Sequence, residues 1–454
     1  MAVSFPPGFD WGTATSSHQI EGDRAGRGEN VWDTFSRKPG SIRNGDTADV
    51  ACDHIRLMAD DVKLMADLGV ASYRFSFSWP RVMPTGEGAP SRPGLVQYDT
   101  LVELLLEHGI EPVPTLFHWD LPQALEDRGG FRNRDVVSWF ADYASVMIDE
   151  FGDRIQRWAT LNEPWCFAYL GHASGEHAPG LRDPTSAVAV AHHQLLAHGH
   201  AVQAMRASRY GKTLSIGTVL NPAPVNVDES LGVDDARRID GTLNRWFLDG
   251  LLLGKYPHDV LQDLGPMARC VHDGDEAIIG QHLDWLGINY YNDHFYTSGS
   301  PSAAHDKPSP HVTAPFSSPA PMHRPVTDLN WPLTPLGFES LLVRLRDEYG
   351  DKLPPLYITE NGAAYSDDFT DDVVDDVRRI DYHDSHLRAV ASAIAKGVDI
   401  RGYFAWSLLD NFEWAHGYAQ RFGLIHVDYD TQVRTPKASA QWYSRVCRAN
   451  QLAL

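Results

Sequence analysis

A single closed (β/α)₈ barrel is the fold this sequence predicts, on three observations. Amphipathic helix-like stretches alternate with short apolar runs from one end of the chain to the other, which implies parallel strands. Eight such runs can be counted, the number that closes a barrel rather than leaving an open sheet. Polar and aromatic residues gather where the runs end, on the face where such barrels carry their sites.

The eight candidate strands, in order, are "FDWGTAT", "VASYRFSFSW", "IEPVPTLFHW", "IQRWATLNE", "YGKTLSIGTVLN", "LDWLGINYY", "PPLYITEN" and "KGVDIRGYFAWS". Helical stripes separate them. "DHIRLMADDVKLMADLG" aligns Ile55, Met58, Val62 and Met65, and "VVSWFADYASVMIDEFG" aligns Val136, Phe140, Tyr143 and Met147. In "SYRFSFSW" the period of two places Tyr73, Phe75, Phe77 and Trp79 on one face and Arg74, Ser76 and Ser78 on the other. With the aromatics against the helices, Arg74 points into the barrel.

Two stretches break the rhythm. "GDRAGRGENVWDTFSRKPGSIRNGDTA" reads as a long Gly-rich loop after the first strand. The Pro- and Ser-rich segment from Ser298 to Pro332 follows the sixth strand and reads as an elaborated loop over the barrel mouth, because the strand pattern resumes after it.

Composition narrows the chemistry. The 454 residues are 43% hydrophobic, enough for a large core, and the domain expected is one catalytic unit over residues 1–454. With 39 basic and 60 acidic residues the net charge is −21, which argues against nucleic acid and other polyanions. The four cysteines are scattered without a C-x-x-C pair, which fits free thiols in a reducing compartment. No apolar run approaches the ~20 residues that span a bilayer, and the N-terminus lacks the pattern of a signal peptide. The expectation is therefore a cytoplasmic protein that does not engage membranes. Oligomerisation is compatible with this surface and is not specified by it.

The chemistry-bearing positions are two glutamates at strand ends. "TLNEP" (160–164) closes the fourth run at Glu163, and "ITENG" (358–362) closes the seventh at Glu360. Each has an asparagine beside it. Paired carboxyls of this kind can cleave a glycosidic bond, one as proton donor and the other as base or, at about 5 Å, as nucleophile. Arg74 needs a charged partner inside the barrel, and the residues alone leave open which glutamate it pairs with. The alternatives are poorly supported. There is no G-x-S-x-G for a serine hydrolase, "GRGENV" fails as a dinucleotide fingerprint, and the histidine cluster "HHQLLAHGHA" (192–201) lacks metal-ligand spacing and reads as a partly exposed helical run.

Taken together, "FDWGTATSSHQIEG", "FHWDLPQAL", "TLNEPW", "LGINYY", "YITENG" and "WSLLDNFEW" resemble glycoside hydrolase family 1, the β-glucosidase family, over about Phe5 to Tyr443. The resemblance implies a retaining enzyme without metal or organic cofactor. Glu163 would be the acid/base and Glu360 the nucleophile, with Arg74 and Tyr291 contacting the latter. Gln19, His118, Trp119, Asn162, Asn289, Glu413, Trp414 and Phe422 would bind the sugar, Trp406 would stack on it, and Trp331 would shape the aglycone side. It also implies a non-proline cis peptide after Trp406.

His18 and Asp23 depart from the family's commoner residues, which bears on fine substrate preference. Relatives acting on 6-phosphorylated sugars tend to carry Ser, Lys and Tyr where this chain has Glu413, Gln420 and Phe422, so a phosphosugar is disfavoured. The substrates expected are small β-glucosides and cello-oligosaccharides, which would place the chain in cellulose degradation. Galactosides and fucosides, or a sugar-binding relative without catalysis, are the alternatives.

Overall fold

The computed structural model describes residues 3–299, 307–366, 369–370 and 373–453. Eight parallel strands close into a barrel in chain order. They are β1 (Asp10–Ala14), β2 (Ser72–Ser76), β3 (Glu111–Phe117), β4 (Arg157–Asn162), β5 (Ser215–Leu220), β6 (Trp285–Asn289), β7 (Leu356–Asn361) and β8 (Ile400–Trp406). Closure comes from β8 pairing with β1, Tyr403 opposite Trp11 and Trp406 opposite Ala14. Each of the eight runs read from the sequence contributes one strand.

The helical stripes bury as their spacing requires. In His54–Leu68, Met58, Val62 and Met65 are buried while Ile55 is only half-buried. In Val136–Phe151 all four stripe residues are buried. On β2 and the turn after it the aromatic side faces the helices: Phe77 stacks on Phe151 (5.4 Å) and Trp79 on Tyr143 (4.9 Å). Trp79 itself lies past the strand, opening a short helical turn at Trp79–Val82. Barrel closure also needs small residues: a Cβ on Gly217 of β5 would sit 2.4 Å from the Trp285 ring of β6.

Three readings change. The Gly-rich segment after β1 is not all loop, because it contains a helix over Val31–Ser36. Asn30 and Asp33 cap it reciprocally, and Arg27 grips both oxygens of Asp33 at 2.6 and 2.8 Å. The segment after β6 is likewise more than loop. His294–Ser298 pairs with Ser317–Pro319 and Val225–Val227 in a three-stranded sheet, although residues 300–306 of that reading lie outside the described residues.

The histidine run is buried rather than partly exposed, apart from half-buried His200. It lies in the helix Pro184–Ala207, which packs on Val136–Phe151 and against β4. Each buried ring finds a polar partner there: His192 meets Tyr256 and Asp275 (both 2.9 Å), His193 the Phe131 carbonyl (2.8 Å), and His198 the Thr160 hydroxyl (2.6 Å). Burial keeps all three below the usual imidazole range. Among the described residues no cluster could hold a metal ion, and no helix is long and apolar enough to cross a membrane.

Candidate active site

The alternation of β2 carries Arg74 into the barrel, where it is 1% exposed. Its partner, left open by the sequence, is Glu360. One guanidinium nitrogen, Nη1, donates to Glu360 Oε1 at 2.6 Å and to the Thr359 carbonyl at 3.3 Å. The other, Nη2, donates to Asn162 Oδ1 at 2.7 Å. The second oxygen of Glu360 accepts from the Tyr291 hydroxyl at 2.6 Å. Burial and the Glu360 charge hold that phenol well above its ordinary range, so it remains a donor.

Glu163 lies one residue beyond β4 in a different setting. Its φ of +45° is left-handed, a conformation rare outside glycine and asparagine and common where a side chain must be re-aimed. Pro164 follows and opens the next helical segment, and the Glu163 N–H stays tied to the Val219 carbonyl of β5 at 2.9 Å. Asn289, at the end of β6, donates to Glu163 Oε1 at 2.7 Å and to Asn162 Oδ1 at 3.0 Å. Thr359 Oγ1 donates to Asn289 Oδ1 at 2.7 Å and so fixes the orientation of that amide. One unbroken chain therefore links the two carboxyls: Glu163, Asn289, Asn162, Arg74, Glu360. Burial first, and the Glu360 charge second, push Glu163 up to about 7.

The remaining polar residues lie around this chain. Asn162 Nδ2 meets His118 Nε2 at 3.0 Å, and its carbonyl accepts from Trp119 Nε1 at 2.9 Å. Burial and the Arg74 charge hold His118 well below its usual range, hence neutral. Gln19 Nε2 donates to Asn411 Oδ1 and the Phe412 carbonyl (3.0 Å each) and reaches Glu413 Oε2 at 3.4 Å. Burial, then the charges of Glu360 and Glu163, push Glu413 up to about 8. Three carboxyls thus share one buried zone with the Arg74 guanidinium, and burial with the neighbouring charges raises two of them, Glu163 and Glu413.

Aromatic rings line this zone. Trp414 and Trp119, both at left-handed φ (+48° and +73°), lie 4.6 Å apart, and His18 stacks on Trp414 at 5.8 Å. The His118 ring stacks on both Trp414 (6.0 Å) and Trp406 (6.1 Å). Trp406 packs with Phe422, joined by Tyr291 and Trp331; Trp331 lies 5.4 Å from the Tyr291 ring and 6.1 Å from that of Phe422. The Trp406–Ser407 peptide is cis. Apart from Arg74, at the middle of β2, the candidate site residues lie at the carboxyl ends of the strands or in the segments that follow them. Asp23, by contrast, turns away to pair with Arg81 at 2.9 Å.

Several neighbours escaped the sequence reading. Thr359 was hidden because alternation puts it on the face opposite Glu360; the pairing of β6 and β7 is irregular between Ile358 and Glu360, and the Thr359 hydroxyl reaches Asn289. Trp32 and His177, which pack at 4.6 Å on Trp414 and 5.4 Å on Trp119, sit in segments without strand or helix periodicity. Asn221, the polar residue that ends the fifth apolar run, contacts Cys166 at 3.3 Å and was not singled out.

Flat rings flanking a dense set of fixed hydrogen-bonding groups suit a sugar, whose hydroxyls need partners and whose CH faces need apolar cover. Comparison with known proteins agrees. The family model described as glycosyl hydrolase family 1 matches residues 1–452. The chain is 42% identical to beta-glucosidase A of Thermotoga maritima, covering 99% of this chain and 98% of that protein. It is 44% identical to a bifunctional beta-D-glucosidase/beta-D-fucosidase of Bifidobacterium breve, covering 98% of each. A solved structure, the psychrophilic beta-glucosidase of Micrococcus antarcticus, superposes with a TM-score of 0.94 at 46% identity over 98% of both chains. With barrel, site and whole-length similarity in agreement, this chain belongs to glycosyl hydrolase family 1 and is an O-glycoside hydrolase.

Proposed function

We propose that the chain, as one catalytic domain, is a retaining β-glucosidase that removes terminal non-reducing β-D-glucosyl residues from small β-glucosides and cello-oligosaccharides. The supporting observation is the unequal setting of two carboxyls on one hydrogen-bonded chain. Glu360 has both oxygens occupied by donors, one of them cationic. Glu163 accepts from the Asn289 amide and forms no ion pair among the described residues, and burial with the Glu360 charge pushes it up to about 7.

In this reading Glu163 donates its proton to the departing glycosidic oxygen while Glu360 attacks the anomeric carbon, giving a covalent glycosyl–enzyme. Glu163, now ionised, takes a proton from water, which displaces Glu360 and restores the starting state. Arg74 and Tyr291 hold Glu360 in line for attack. Asn162, oriented from three sides, holds the 2-hydroxyl, a contact that strengthens as the transition state forms. Gln19, His118, Trp119, Asn289, Glu413, Trp414 and Phe422 bind the glucosyl ring, Trp406 stacks on it, and Trp331 borders the aglycone. A 6-phosphate would meet Glu413 without a lysine beside it, so unphosphorylated sugars are favoured. A cytoplasmic location fits the four free cysteines, and cello-oligosaccharide hydrolysis would place the enzyme at the end of cellulose degradation.

A second reading has one observation behind it: the Bifidobacterium breve relative is named for fucosidase as well as glucosidase activity. Purified protein assayed on p-nitrophenyl β-glucoside, β-galactoside and β-fucoside, and on cellobiose, separates the two. The highest kcat/KM is expected on the glucoside with cellobiose turned over. A higher value on galactoside or fucoside favours the broader reading, and no turnover on any of them overturns both.

A further inference from the structure

We propose that Tyr382, acting with Asn361, is a positioning residue that holds Tyr291 so that its hydroxyl stays on Glu360. β6 ends at Asn289, so the carbonyls of Tyr290 and Tyr291 lie past the strand and need partners of their own. Side chains supply them. Asn361 Nδ2 donates to the Tyr290 carbonyl at 2.6 Å, and the Tyr382 hydroxyl donates to the Tyr291 carbonyl at 2.7 Å. The Tyr290 N–H is tied to the Glu360 carbonyl at 2.9 Å. Tyr291 is thus anchored at both ends, by its main chain here and by its hydroxyl on Glu360 Oε2 at 2.6 Å.

The supporting network has one arrangement of hydrogens. Tyr382 gives its hydrogen to Tyr291 and accepts from Asn361 Nδ2 at 3.1 Å. Both hydrogens of that amide are therefore committed, and its Oδ1 accepts from the Tyr403 hydroxyl of β8 at 2.7 Å. The Tyr403 hydrogen being used there, His383 Nδ1 at 2.8 Å must be a donor. Burial pushes that imidazole down to about 3, so it is neutral. Tyr382 itself is 1% exposed on the helix Val377–Ala395, its ring stacked on His386 at 3.9 Å. A buried network with every donor placed fixes the group at its end, and here that group is the Tyr291 main chain. The effect of Tyr382 on Glu360 runs through Tyr291.

The role rests on Glu360 being the nucleophile, and one probe separates the two. Dinitrophenyl 2-deoxy-2-fluoro-β-glucoside isolates the first displacement: a Glu360 oxygen bonds to the anomeric carbon as the phenolate leaves unaided, and the fluorine slows release, so the glycosyl–enzyme accumulates. Tyr382→Phe is expected to lower the inactivation rate constant about 5-fold, the effect of one net hydrogen bond, with the binding constant of the inactivator within about 2-fold of the parent. In Tyr291→Phe no hydroxyl is left to hold, so adding Tyr382→Phe should change the rate less than about 2-fold. If Tyr382→Phe does not fold, Tyr403→Phe, which frees the Asn361 amide, is measured in the same two backgrounds with the same expectation. An unchanged rate in the parent background, a fall equally large in both, or a change in binding alone overturns the positioning role while peptide mapping still finds the label on Glu360. A label on any other residue overturns the assignment of Glu360 on which the role depends.

Discussion

Glu360→Ala is expected to lose β-glucoside hydrolysis by on the order of 10⁴-fold or more, because no other group can form the covalent intermediate. The substitution leaves the buried Arg74 guanidinium without its charged partner and so costs stability, on the order of 3–5 kcal/mol; circular dichroism of the variant checks that the loss of activity is not loss of fold. Azide fits the space vacated by the carboxylate and can attack the anomeric carbon from that face. With an activated aryl glucoside, added azide should restore turnover and release α-glucosyl azide, a single inversion. Product analysis by NMR checks this, and a β-azide would mean that the two carboxyls have exchanged roles.

Glu163→Ala should divide substrates by leaving group. For cellobiose, whose departing hydroxyl needs a proton, kcat/KM should fall by about 10²- to 10⁴-fold. For dinitrophenyl glucoside, whose phenolate leaves unaided, formation of the glycosyl–enzyme should be nearly unchanged, with a slow second step that azide accelerates to give β-glucosyl azide. The pH profile supplies the sign. Glu163 must be protonated for the first step and is held to about 7, so the parent enzyme should lose kcat/KM as pH rises through about 7. In Glu163→Ala that alkaline limb should vanish for the dinitrophenyl substrate. Steady-state rates on the two substrates across pH 5–9 check both statements.

What the sequence made legible, and what it did not, follows from the range of the forces concerned. The direction of Arg74 was legible because side-chain alternation along a strand is local. Its partner was not, because Glu360 stands 286 positions away across the barrel, a relation set by closure and register. Strand-end positions such as Asn162, Asn289 and Glu360 stood out because apolar runs ended on polar residues. Their mutual hydrogen bonds appear only when β4, β6 and β7 share one rim.

The buried histidines of Pro184–Ala207 show the opposite case. Polarity suggested exposure, but a helix covered on both sides can bury imidazoles that each find at least one polar partner.

The central claim is that two carboxyls on one rim, one paired with a guanidinium and the other holding its proton, cleave the bond in two displacements. Following hydrolysis of an aryl β-glucoside by ¹H NMR, before mutarotation, tests this most directly. β-Glucose as the first sugar released is the result predicted. α-Glucose appearing first would mean one displacement by water, and would contradict a covalent role for Glu360.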